Sequence, residues 1–189
     1  SSPGPSAPSA VTRTGYTGPK GWDPVAELLD FSYDRPTVAQ IRAAGRAGVI
    51  RYVASGRPAV SATKAEVDTY RQAGLTFCGV WQNGKDRALG GWVKGLNDAR
   101  DAAAYCTGLG ATATDPVYFA VDVDVTTSGQ LAAVAAYFQA AASVLGWARL
   151  GAYGDFDVIQ LLSTATPLGL FWQSAATSHR GNRLHPAAN

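Results

Sequence analysis

The sequence predicts an α/β fold, a (β/α) TIM-type barrel of parallel strands with about six to seven strands in this chain. Two observations lead there. Short apolar segments alternate strictly with helical ones, which implies a parallel sheet with helical crossovers, either doubly wound or closed into a barrel. A doubly wound nucleotide-binding sheet declares itself by a glycine-rich turn directly after its first strand, yet here Leu29-Asp30-Phe31-Ser32-Tyr33-Asp34 follows instead. The nominal glycine match from Gly108 to Ala113 comes after a helix and before a strand, the wrong context for a phosphate-binding turn. No P-loop is present, so the barrel is favoured.

Residues 1–21 read as a Ser/Pro/Gly-rich arm or linker, because sixteen of the first twenty are Ser, Pro, Gly, Ala or Thr. Barrel patterning covers 22–189. Leu28 to Ser32 is a short apolar strand, and Thr37 with Gln40 spaces a capping box for the helix that Gly45 and Gly48 close. Val49 to Val53 is β-branched and aromatic, hence a second strand. Thr63 and Glu66 space another capping box, Val67, Tyr70 and Ala73 recur at helical spacing, and Gly74 ends the turn. Leu75 to Gln82 is the third strand.

A glycine-rich loop with Trp92 runs from Asn83 to Gly95, followed by a helix from Leu96 to Leu109 with Leu96, Ala99, Ala103 and Cys106 on one stripe. Val117 to Val123 is the fourth and most hydrophobic strand. Ser128 caps a long helix whose Leu131, Val134, Ala135, Phe138, Ala142 and Leu145 line one face, ended by Gly146. Arg149 to Tyr153 and Leu168 to Gln173 supply strands five and six, with a short helix after Asp155 between them. Leu184 to Asn189 is expected to begin a seventh, still short of the eight that close a barrel.

Composition narrows the functional classes. Sixteen Lys and Arg against fourteen Asp and Glu give a net charge of +2, spread along the chain, which argues against a nucleic-acid partner. No apolar run is long enough for a membrane span. Two cysteines exclude a disulfide scaffold; Cys78 and Cys106 read as core thiols, or as a pair if the protein is exported. With only His179 and His185 besides, a zinc site is not expected, and no cofactor is implied. The Ser-Ser-Pro start and the absence of methionine suggest a processed product, a fragment or one segment of a larger chain or assembly. No signal peptide is visible at that start.

Barrel chemistry sits at the C-terminal ends of the strands. The polar residues there are Asp30, Arg51, Gln82, Asp122, Asp124, Asp155 and Gln173, with Tyr52, Trp81, Tyr153 and Trp172 beside them. In Tyr118-Phe119-Ala120-Val121-Asp122-Val123-Asp124, strand alternation puts both carboxylates on the face that points into the mouth. Two carboxylates so close repel, which raises one pKa and yields an acid beside an ionised partner, as glycosidic cleavage requires. A helix cap, a solvated loop or a DxD cation site would use the same residues. Arg51 implies a carboxylate partner, Asp30 or Asp122, in a structural ion pair or a substrate contact. Trp81-Gln82 and Trp172-Gln173 repeat one dipeptide at two strand ends, an indole platform and an amide suited to a sugar.

Leu28 to Ser32, Gly48-Val-Ile-Arg-Tyr-Val53, Gly79-Val-Trp-Gln82, Val117 to Asp124, Gly151-Ala-Tyr-Gly154 and Phe171-Trp-Gln173 together resemble a family. It is the glycoside-hydrolase-like TIM-barrel domains of actinobacterial exported proteins and phage endolysins, distant relatives of the family 25 lysozymes. The resemblance implies a lysozyme-like hydrolase of cell-wall peptidoglycan or a related glycan, secreted or phage-associated and directed to the cell wall. It makes Asp30, Asp122 and Asp124 the acidic cluster, with Asp124 where those lysozymes carry a Glu proton donor. Arg51, Tyr52, Trp81, Gln82, Tyr153, Trp172 and Gln173 become the expected glycan contacts. The rival expectation is a catalytically silent glycan-binding or structural module of a phage or secreted assembly.

Overall fold

A computed structural model describes residues 10–11, 27–174 and 184–188. Most of the arm therefore lies outside the described residues, as does His179. Strand β1 (Ala10–Val11) runs antiparallel to β2 (Leu28–Asp30). From β2 onward all pairing is parallel and in chain order: β3 (Gly48–Tyr52), β4 (Thr76–Trp81), β5 (Val117–Ala120), β6 (Leu150–Gly154) and β7 (Leu170–Gln173). Helices α1 (Val38–Ala43), α2 (Lys64–Gln72), α3 (Gly91–Gly108), α4 (Ser128–Leu145) and α5 (Phe156–Ala165) make the five crossovers. The six parallel strands curl into a half-barrel of the TIM type. Strand order never reverses, as it must in a doubly wound sheet.

The two faces of the sheet differ in what covers them. Leu29, Val49, Phe77, Phe119, Ala152 and Phe171 pack in one core with residues from all five helices, among them Ile41, Val67, Ala99, Phe138 and Ile159. Leu28, Ile50, Cys78, Val80, Tyr118, Ala120 and Leu170 form a second cluster made of strand residues alone. One-sided helical cover is what distinguishes a barrel wall from a doubly wound sheet. Cys78 and Cys106 fall in different clusters on opposite faces, so no disulfide joins them.

Local chemistry explains the helix ends. Thr37 and Gln40 form the expected reciprocal capping box, with Thr37 N–H donating to Gln40 Oε1 at 2.8 Å. On α4 the cap is Thr127 rather than Ser128, because Gln130 stands three residues after Thr127 and completes the box. Thr63 caps α2 through the Glu66 N–H, while the Glu66 carboxylate turns to the sheet and takes Arg51. Helix α3 starts at Gly91, five residues before the expected Leu96. Gly95 lies so close to the backbone of Tyr137 on α4 that no Cβ fits. The buried stripe becomes Gly95, Asp98, Ala99, Ala102 and Cys106, not one centred on Leu96 and Ala103. Asp98 is fully buried and accepts from Arg87 Nε at 2.7 Å and the Tyr137 hydroxyl at 2.7 Å. Residues 184–188 form a turn and no strand, so the expected seventh parallel strand is not found among the described residues.

Arg51 is 0% exposed and faces the helices. Its Nε donates to Glu66 Oε1 at 2.7 Å, its Nη1 reaches the carbonyls of Phe31 and Ser32, and its plane lies 4.4 Å from the Phe31 ring centroid. Tyr70 and Arg35 complete the Glu66 cluster. A buried charge that loses its partner is destabilising by about 3–5 kcal/mol. Glu66→Gln is therefore expected to lower the urea midpoint by an amount equivalent to about 3 kcal/mol. The apolar double replacement Arg51→Met with Glu66→Leu is expected to cost less than that single change.

Candidate functional site

The hollow at the C-terminal ends of the strands follows from the pleat. On β2 Leu28 faces inward, Leu29 outward, and Asp30 inward again; β3 repeats this with Ile50 and Tyr52, β4 with Val80 and Gln82. On β6 and β7 the inward residues are Tyr153 and Trp172. Asp122, two past the inward Ala120, keeps the same phase although β5 has ended. Together these line a hollow of about 100 Å³. A shallower groove of about 430 Å³ adjoins it, sharing Tyr52, Gln82 and Asp122 and adding Arg57, Asn83 and Lys85.

Hydrogen bonds order the groove side. Gln82 Nε2 donates to Asp122 Oδ2 at 2.9 Å, and Arg57 Nη1 donates to Gln82 Oε1 at 3.0 Å. The Arg57 guanidinium lies 4.5 Å from the centroid of the Tyr52 ring, and Lys85 Nζ stands 3.9 Å from Asp122 Oδ2. On the far side Tyr153 and Trp172 meet edge to face with centroids 4.7 Å apart.

Burial acts on the titratable groups that line the hollow. Burial raises the Asp30 carboxyl from 3.8 to about 6, because the charged form loses water without gaining a compensating cation. Burial likewise pushes the Tyr52 and Tyr153 hydroxyls upward, with the negative charges of Asp30 and Asp122 adding to it in both. Both phenols are hydroxyl donors at neutral pH. The hollow thus holds one carboxyl poised near neutrality, a second carboxylate fixed by an amide, two phenols and an indole.

Several expected site residues are placed elsewhere. Arg51 partners neither Asp30 nor Asp122, because its position on β3 is outward and Glu66 meets it there. The two Trp-Gln dipeptides are out of phase: Trp81 points outward into the helix-side core at 1% exposure while Gln82 points in. On β7 it is Trp172 that points in, and Gln173 accepts the His185 N–H at 2.7 Å. Trp81 is no sugar platform, and Gln173 is a tie to the C-terminal turn. Asp124 does not share the hollow with Asp122. Strand β5 ends at Ala120, the inward phase holds only as far as Asp122, and Asp124 beyond it is solvent-exposed. Asp155 caps α5 through the Val158 N–H, and Trp92 lines neither hollow nor groove.

Arg57 and Lys85 escaped sequence reasoning. Their signal is a cation in a loop that leaves the C-terminal end of a strand, five residues past β3 and four past β4. Among the described residues no three His, Cys, Asp or Glu side chains converge as metal ligands, and no helix is long and apolar enough to cross a membrane.

Comparison with known proteins is consistent with this geometry. Residues 39–188 match the family model described as the Rv2525c-like, glycoside hydrolase-like domain. Rv2525c of Mycobacterium tuberculosis, a protein named as a proposed peptidoglycan hydrolase, is 29% identical over 171 residues, covering 86% of this chain and 71% of its own. The crystal structure of that Tat-secreted protein with HEPES superposes with a TM-score of 0.76 at 27% identity, covering 85% of this chain and 84% of the other. The modular autolysin LytC of Streptococcus pneumoniae, solved with a synthetic peptidoglycan ligand, shares the fold at 13% identity and a TM-score of 0.56. That match covers 86% of this chain and 40% of LytC.

A raised carboxyl leaves a signature in stability. Folded Asp30 titrates near 6 and unfolded Asp near its ordinary 3.8, so the folded state holds more protons between them and stability falls as pH rises through that window. Asp30→Asn removes the effect. It is expected to stabilise the fold by about 1–2 kcal/mol at pH 7, discounted for residual solvent access, with the gain gone below about pH 4. Urea unfolding at pH 4 and pH 7 checks it.

Proposed function

The chain belongs to the Rv2525c-like, glycoside hydrolase-like domain family, and from that premise we propose that it is a glycosidase cleaving a glycosidic bond of bacterial cell-wall peptidoglycan in the acidic hollow. One observation carries the reading: Asp30, raised to about 6 by burial, shares the hollow with Asp122. Glycosidic cleavage needs a carboxylic acid to protonate the leaving oxygen and a second carboxylate for the positive charge that develops on the sugar. Asp30 takes the first role, since a carboxyl titrating near the working pH is still protonated yet gives up its proton readily. Asp122, oriented by Gln82, takes the second. A water adds to the anomeric carbon as the bond to the leaving oxygen breaks; that oxygen receives the Asp30 proton, the water gives its own to the Asp122 carboxylate, and exchange with solvent restores both groups.

The remaining groups suit a sugar. The rings of Tyr153 and Trp172 offer apolar surface to a pyranose face, and Tyr52, Tyr153 and Gln82 offer bonds to its hydroxyls. In this reading the proton donor is Asp30 rather than Asp124, and Asp124 belongs to the rim. The Tat-secreted relative supports a place outside the cytoplasmic membrane. The exposure of Asp124 keeps a second reading open, a glycan-binding module without turnover.

Release of reducing ends from purified cell walls decides between them. Asp30→Asn and Asp122→Asn are each expected to lower kcat by about 100-fold or more, and Asp124→Asn by no more than about threefold. kcat/KM should fall as pH rises through about 6, where free Asp30 loses its proton. Wall binding by the unaltered protein with no reducing ends released would overturn the hydrolase reading in favour of the binding module.

A further inference from the structure

We propose that the groove beside the hollow is a subsite for a carboxylate carried by the glycan, with Arg57 as its principal contact and Lys85 as its second. The inference rests on the glycosidase reading and adds a substrate charge to it. A neutral sugar chain needs no cation, yet the groove carries two. Asp122 is the one carboxylate among its lining residues, and it is already bonded to Gln82.

The Arg57 site is built rather than incidental. Among the described residues no carboxylate lies within ion-pair distance of Arg57. Its plane is set by the Tyr52 ring beneath it and by Nη1, which donates to Gln82 Oε1 at 3.0 Å and to the Gln82 carbonyl at 3.4 Å. A guanidinium held this way has little side-chain entropy left to lose when an anion arrives. The loop bearing it is held too: a Cβ at Gly56 would run into the Asn83 amide, so the loop after β3 lies directly against the loop after β4. Lys85 is 79% exposed and stands at the outer limit of ion-pair distance from Asp122, so it can swing to a ligand. The positive groove thus adjoins an acidic hollow, which orients a chain bearing negative groups to one side of the scissile bond.

In peptidoglycan such a carboxylate comes from the lactyl ether of the sugar or from the stem peptide attached to it. Binding separates these sources and is independent of turnover. Asp30→Asn protein is titrated by calorimetry with three tetrasaccharides: a neutral N-acetylglucosamine tetramer, a stem-stripped wall glycan with free lactyl carboxylates, and the same glycan with its stems. At least one carboxylated ligand is expected to bind about tenfold tighter than the neutral one at low salt, the preference shrinking as salt rises. Whichever of the two wins identifies the source. Adding Arg57→Gln should remove most of that preference and Lys85→Gln part of it, while Arg57→Lys should keep a measurable share. Equal affinity for all three ligands, or variants that weaken neutral and carboxylated binding alike, would overturn the subsite. Retained preference without reducing-end release by the unaltered protein would leave the subsite standing and remove the hydrolysis.

Discussion

Everything in this fold turns on the two-residue period of the pleat under a helical layer that covers only one face. Successive side chains leave a strand in opposite directions. Here one direction leads into the helices and the other into the hollow. The same chemical group therefore has two fates: Trp172 borders the hollow, whereas Trp81 is sealed among helices. Asp30, Tyr52, Gln82, Asp122, Tyr153 and Trp172 meet because each sits in the inward phase near its strand's end.

The helix-side charges serve that arrangement. Arg51 binds Glu66 on α2 and, on the other side, the carbonyls of Phe31 and Ser32, the two residues directly after Asp30. A buried guanidinium thereby fixes the chain where it leaves β2 and with it the position of the carboxyl at the mouth. Asp98 plays a related part between α3, α4 and the turn at Arg87. Gly95 brings those two helices into backbone contact beneath it.

Much of this was legible from local chemistry. Six parallel strands, the Thr37 capping box, the turn at Gly146 and the alternation from Tyr118 to Asp122 follow from residue types a few positions apart. What escaped the reading depended on partners far along the chain. Nothing near Arg51 in sequence says that Glu66 will turn from its own helix cap to meet it. The paired Trp-Gln dipeptides look equivalent until the pleat assigns them opposite phases, and that phase is set by registers such as Tyr52 beside Val80 and Tyr153 beside Trp172. Asp124 departs for a different reason: the Val121 N–H still bonds the Tyr153 carbonyl at 2.8 Å and the inward phase holds to Asp122, but no strand pairing carries the alternation two residues further.

The contrast between the two faces bears on function. On the helix side Glu66 and the fully buried Asp98 have each found cations and a phenol: Glu66 has Arg51, Arg35 and Tyr70, and Asp98 has Arg87 and Tyr137. The protein is thus able to compensate buried charge where only stability is at stake. Asp30 is treated differently, set among apolar and phenolic neighbours where burial alone shifts its titration. An acid left in this state costs stability at neutral pH and gains nothing for packing. Such an arrangement is what a site for proton transfer requires, and it is found at the strand ends, where a barrel exposes its chemistry.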